Sequence, residues 1–212
     1  MSDNPFQEAY LKARRHLGRN DAVLKSIMTR IGKITLQPNP DRFGCLVYSI
    51  VAQQISTRAA AAIAERLKQR VPLLDPASLL RSSEEELRGA GLSSAKASSV
   101  RDLARCVENG NVPLDKLDQW DDEQVIANLT QVKGIGRWTA EMFLIFGLGR
   151  LDVFPVADFG LRSALNRYYG VSLSANREEY ARLGEQWRPY RTVATWYLWR
   201  QSRGRATKLT KQ

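Results

Sequence analysis

Asp158 stands in the run Leu151-Asp152-Val153-Phe154-Pro155-Val156-Ala157-Asp158-Phe159-Gly160-Leu161-Arg162, where an apolar loop gives way to a helical pattern. An aspartate at such a junction commonly caps the helix by accepting a backbone N–H. A carboxylate held at the edge of a cleft also stabilises a developing positive charge or orients a water molecule. The two uses are compatible, and the positive end of a helix favours negative charge at this place.

The second chemical feature is Val132-Lys133-Gly134-Ile135-Gly136, set between two helical patterns. Two glycines flanking one apolar residue make a tight turn whose backbone N–H groups approach a partner with no Cβ in the way. Opening the helix that begins near Arg137, the turn offers donors and a positive dipole end to a phosphate. Taken alone, such a turn is most often a plain connector.

The elements that must position these residues are helical almost throughout. Phe6, Tyr10, Ala13 and Leu17 recur at helical intervals behind Asn4 and Pro5, and a second helix from Asp21 to Ile31 stops at Gly32. Ile34 to Pro40 reads as a connector. Phe43, Leu46, Val47, Ile50 and Val51 mark an apolar central helix ending near Gln53 and Gln54, after which Ser56 caps the next. Capping-box spacing places helix starts at Ser82 with Glu85 and at Asp121 with Gln124, and Ser93 opens a helix ending at Asn109 and Gly110. Later helices are expected over Arg137–Phe146, Phe159–Tyr168, Glu178–Trp187 and Tyr190–Arg203. The fold class is therefore all-α, because no pair of alternating runs is joined by a hairpin turn.

Composition narrows the chemistry. The chain has 212 residues, 43% of them hydrophobic, with a formal charge of +10, which favours a polyanionic partner. Arg200, Arg203, Arg205, Lys208 and Lys211 supply five of those charges, so residues 201–212 read as a mobile basic tail. Two cysteines, Cys45 and Cys106, and one histidine, His16, cannot make a four-ligand zinc site or a four-cysteine iron–sulfur cluster. Both thiols read as unpaired packing residues in a reducing compartment. Neither a secretory start nor a membrane span is indicated.

In four ordered segments the sequence resembles the helix-hairpin-helix DNA glycosylase superfamily, and within it the alkylpurine (3-methyladenine type) branch. These are Val51-Ala52-Gln53-Gln54-Ile55-Ser56, Gly91-Leu92 with Lys96-Ala97, Val132 through Gly136-Arg137-Trp138-Thr139-Ala140, and Val153 to Arg162. The match runs from about Gly44 to Trp199.

The resemblance implies two helical lobes with a DNA-binding cleft between them. One would comprise 41–150, the other 1–40 plus 151–200. It implies that Asp158 is catalytic and that Lys133, Gly134, Ile135, Gly136 and Arg137 grip the DNA backbone. Gln54 would fill the gap left by a flipped base. Trp138, Phe159, Trp199 and Met142 would line the base pocket, Met142 where relatives often carry an aromatic ring. Trp138 takes the place of the lysine that makes some superfamily members lyases, so base release should leave an intact abasic site. No cofactor is expected beyond a monovalent cation held by the hairpin. The iron–sulfur branch and the N-terminal β-rich domain of some relatives do not match.

The implied function is a monofunctional hydrolase that flips and excises alkylated purines in base excision repair. It would act as a monomer on double-stranded DNA, in the nucleoid or nucleus, with no membrane partner. Two alternatives stay open on the residues: a non-catalytic helix-hairpin-helix DNA-binding module, and a monofunctional glycosylase for another lesion class. Trp187, Trp196, Tyr197 and Trp199 have spacings that fill a core as readily as a pocket.

Overall fold

The computed structural model describes residues 5–209, with side chains over 6–202, and the described residues contain twelve α-helices and no strand. They cluster into two compact units, one formed by 5–37 with 150–209 and the other by 38–149. No helix among the described residues is long and apolar enough to cross a membrane.

The first unit is built on α1 (Pro5–Asn20), α2 (Ala22–Ile31), α10 (Phe159–Tyr169), α11 (Arg177–Gly184) and α12 (Arg191–Leu209). α1 packs on α2, and α12 packs on both of them and on α10. Asp21, which caps α2, is buried and takes three donors: Leu24 N–H, Tyr169 O–H and Trp187 Nε1–H, each at 2.8 Å. A buried carboxylate is tolerable only when its oxygens are satisfied in this way. Trp187 is fully buried and Trp196 nearly so, which assigns both to the core.

The second unit holds α3 (Arg42–Val51), α4 (Thr57–Arg70), α5 (Pro76–Arg81), α6 (Glu84–Gly89), α7 (Ser94–Glu108), α8 (Asp122–Leu129) and α9 (Arg137–Phe146). The apolar α3 packs against α4, α7 and α9, and α8 packs on α9. Phe43, Leu46, Val47, Ile50 and Val51 face this core together with Phe143, Leu144 and Ile145.

Several boundaries differ from the sequence expectation. The capping box lies one residue later, at Ser83 and Glu86, because Ser82 Oγ instead donates to the Ser78 carbonyl and closes α5. The helix expected through Trp187 breaks at Gly184, and 185–187 tighten into a 3₁₀ turn. A Cβ on Gly184 would lie 2.7 Å from the Phe154 ring, so that backbone is pressed against an aromatic face. α12 continues to Leu209 rather than ending near Arg203. Beyond Arg203 the chain has no proline, and a single Gly204 costs a helix only about 1 kcal/mol. Of the basic segment read as a mobile tail, 210–212 lie outside the described residues. Cys45 is buried, whereas Cys106 is half-buried rather than enclosed.

Candidate functional site

In the first unit, Asp158 is the N-cap of α10. Its Oδ1 accepts the Leu161 N–H at 2.7 Å, and the same oxygen accepts the indole Nε1–H of Trp199 at 2.7 Å. Trp199 comes from α12, so the α10–α12 contact delivers a donor to the carboxylate. A bond to an ionised acceptor is shorter and stronger than a neutral one, and two on one oxygen fix the side-chain rotamer. Gly160 follows in the first turn, where an added Cβ would lie 3.1 Å from Asp158 Oδ1 and 3.4 Å from the Trp199 ring. Phe159 points away from the core, 77% exposed. The structure thus brings Asp158 and Trp199 into contact, beside an outward phenyl ring.

The hairpin of the second unit is equally well defined. Gly134 has φ +80, and a Cβ there would lie 2.2 Å from Ser99 Oγ, so both backbone conformation and space require glycine. Ile135 is buried and anchors the turn, while its N–H closes the turn onto the Val132 carbonyl at 3.0 Å. The N–H groups of Gly134 and Gly136 have no acceptor among the described residues. Gly136 caps α9 without a side chain.

Two hairpin residues differ in availability from the expectation. The Lys133 N–H is not open, since it donates to Asp102 Oδ2 at 2.8 Å, while its exposed ammonium reaches Ser98 Oγ at 3.0 Å. Arg137 is engaged by carboxylates: it pairs with Glu123 through two N–H groups and with Glu141 at 3.2 Å. Glu123 in particular holds its guanidinium above its usual range. Its evident structural task is to brace α9 on α8. Trp138 is half-buried in the first turn of α9, and Met142 is buried one turn further on.

Gln54 is exposed and has φ +57, one of two non-glycine residues in the left-handed region among the described residues. Next to it, the Gln53 side chain donates to the Gly134 carbonyl and to Thr139 Oγ1, and Lys96 donates to the Val51 and Gln53 carbonyls. A glutamine pair after an apolar helix points to a polar end, and only the fold shows where each amide goes.

The described residues thus form an all-α protein with a glycine hairpin opening α9 and a capped carboxylate opening α10. Comparison with known proteins carries this further. The family model described as HhH-GPD superfamily base excision DNA repair protein matches residues 47–189. Alkylbase DNA glycosidase-like protein mag2 of Schizosaccharomyces pombe is 30% identical over 197 residues, spanning 90% of this chain and 92% of its own. The structure of the S. pombe 3-methyladenine DNA glycosylase Mag1 in complex with abasic DNA matches with a TM-score of 0.82 and 31% identity, over 91% of this chain and 97% of that one. That of DNA-3-methyladenine glycosidase from Bacillus halodurans gives a TM-score of 0.76 and 39% identity, over 91% and 89%. The chain belongs to the HhH-GPD superfamily of base excision DNA repair proteins.

Proposed function

We propose that this protein is a monofunctional DNA glycosylase that releases alkylated purines of the 3-methyladenine and 7-methylguanine type from double-stranded DNA. The observation that carries the reading is the Asp158 carboxylate, fixed by the Leu161 and Trp199 N–H groups in a chain whose relatives include named 3-methyladenine glycosylases.

A base inside a duplex is out of reach, so it is first turned out of the stack at a cost of roughly a few kcal/mol, least for damaged bases. The hairpin N–H groups and the Lys133 ammonium would hold the backbone, and Gln54 would fill the gap. A methylated purine is cationic, and an indole face attracts it by roughly 0.5–2 kcal/mol depending on desolvation. Trp138 and Trp199 supply such faces. The charge also makes the base a good leaving group, and C–N cleavage passes through an oxocarbenium-like sugar. Asp158 stabilises that cation and orients the attacking water. Trp138 has no amine with which to form a Schiff base, so the strand stays intact at the abasic site.

A monovalent cation on the hairpin would be held by the backbone oxygens of Val132 and Gly134. Each accepts one hydrogen bond and keeps a second lone pair. Such an ion would add positive charge beside a phosphate. We take the protein to act as a monomer, in the nucleoid or nucleus where its substrate lies. The test is release of 7-methylguanine from duplex DNA, with alkali revealing abasic sites. Strand cleavage without alkali, or a covalent adduct trapped by borohydride, would overturn the monofunctional assignment.

A further inference from the structure

α3 ends at Val51, and five residues later Ser56 already caps α4. The carbonyls at the end of a helix have no partner within it and need one from outside. Here the Lys96 ammonium, from the first turn of α7, donates to the Val51 carbonyl at 2.7 Å and to the Gln53 carbonyl at 2.8 Å. No carboxylate pairs with Lys96 among the described residues, and burial holds its ammonium below the usual lysine range. A lysine head that bonds two carbonyls at once fixes the backbone of both residues relative to α7.

The backbone so fixed leads into the left-handed turn at Gln54. Strained backbone at a non-glycine residue persists where its surroundings over-determine it. Those surroundings include the side chain of Gln53, whose Nε2 donates to the Gly134 carbonyl at 2.8 Å and to Thr139 Oγ1 at 3.0 Å. Gly134 is the centre of the hairpin, and Thr139 is buried in the first turn of α9. Gln53 is therefore held at its main chain by Lys96 and at its amide by the hairpin, while the next residue is thrown outward. Asp102 completes the frame by accepting the Lys133 N–H from the same α7 that carries Lys96.

We propose that Lys96 and Gln53 are positioning residues that preset the backbone of Gln54 and lock it to the hairpin, so that gripping the phosphate and inserting the plug are one rigid event. The inference rests on Gln54 being the inserted side chain. Presetting removes the cost of ordering the turn when DNA binds, which is what preorganisation contributes. The device acts on flipping and leaves bond cleavage at Asp158 untouched.

The test uses the full chain and two variants that preserve side-chain length, Lys96→Met and Gln53→Met. Single-turnover release of 7-methylguanine is measured from a paired duplex and from one in which the target base is unpaired. A 2-aminopurine beside the target reports unstacking. Each variant is expected to slow release from the paired substrate roughly 5- to 30-fold, to lower the 2-aminopurine signal, and to have under about a threefold effect on the unpaired substrate. Gln54→Asn, whose side chain tolerates the left-handed region, should recover part of the loss in the Lys96→Met background. Equal slowing on both substrates by both variants overturns the proposal, because a structural defect would do that. If Gln54→Ala leaves the 2-aminopurine signal intact, the plug assignment fails and the proposal with it. If wild type releases no methylated purine while the signal still depends on Lys96 and Gln53, the glycosylase reading fails and the positioning device stands.

Discussion

The indole N–H of Trp199 and the backbone N–H of Leu161 meet on one oxygen of Asp158, each at 2.7 Å. One tryptophan thereby orients the carboxylate, and under the proposed function it is also a wall for the aromatic base. Trp199→Phe separates the two, since it keeps the ring face and removes the donor. A hydrogen bond to a charged group contributes about 1.5–3 kcal/mol. The expected outcome is a fall in kcat of roughly ten- to a hundredfold with KM changed little, in steady-state release of 7-methylguanine. A change confined to KM would mean that Trp199 acts by stacking alone.

Asp158→Asn keeps an oxygen for both N–H donors, and asparagine caps helices about as well as aspartate. The melting temperature should stay within about 2 °C of wild type. Base release should fall on the order of a hundred- to a thousandfold, the scale typical of losing one preorganised electrostatic group. Alkali-revealed breaks measure the activity, and the thermal melt shows that the fold is intact.

Gly134→Ala meets two obstacles at once. The left-handed backbone costs an alanine about 1–2 kcal/mol, and the new methyl would lie 2.2 Å from Ser99 Oγ. Urea unfolding should show a loss larger than the backbone cost alone, with weaker DNA binding. The same substitution at Gly110, also at positive φ but with nothing within 4 Å, should show the backbone cost only.

Lys133 and Arg137 should separate in the salt dependence of DNA binding. Each phosphate neutralised by a protein cation contributes about 0.9 to the slope of log affinity against log salt. Lys133→Ala should lower the slope by about one, because its exposed ammonium is held by a neutral hydroxyl, Ser98 Oγ, and keeps its charge for a phosphate. Arg137→Ala should leave the slope nearly unchanged and lower stability, because its charge is matched by Glu123 and Glu141. Equal slopes for the two variants would reverse this assignment.

Stability should fall at alkaline pH. Burial pushes the Cys45 thiol, with Asp41 beside it, up to about 12 from 9.0, and burial pushes the Tyr10 hydroxyl up to about 12 from 10.0. Above pH 9 the unfolded chain loses these protons first and binds fewer than the folded one, so unfolding free energy decreases as pH rises. Each group contributes at most about 1.36 kcal/mol per pH unit. The decline should begin near pH 9 with Cys45 and steepen near pH 10 as Tyr10 joins. Urea midpoints between pH 8 and 11 measure it, and Cys45→Ala should reduce the first part, to which Cys106, also raised by burial, adds.

Helix starts were legible where the cap is local. Asp21, Ser56, Ser93 and Asp121 each accept an N–H from three residues on, a relation written in sequence spacing. The capping box lies one residue beyond the place its spacing suggests, because two adjacent serines offer the same signal. Only packing decides that Ser82 closes α5 while Ser83 opens α6. The hairpin was legible through its glycines, yet the Lys133 and Arg137 charges look identical in sequence. Their different availability comes from Ser98 on one side and Glu123 and Glu141 on the other.

By itself, then, the sequence determined the helical class, the glycine turn, the capping aspartate and the net positive charge, because each depends on residue type and on neighbours within one turn of chain. The tertiary structure decided which partners meet: Trp199 with Asp158 across 41 residues, and Gln53 with Gly134 across 81. A hydrogen bond has a reach of about 3 Å. Whether residues so far apart in the chain come within it depends on how helices pack, and spacing along one helix carries no information about that.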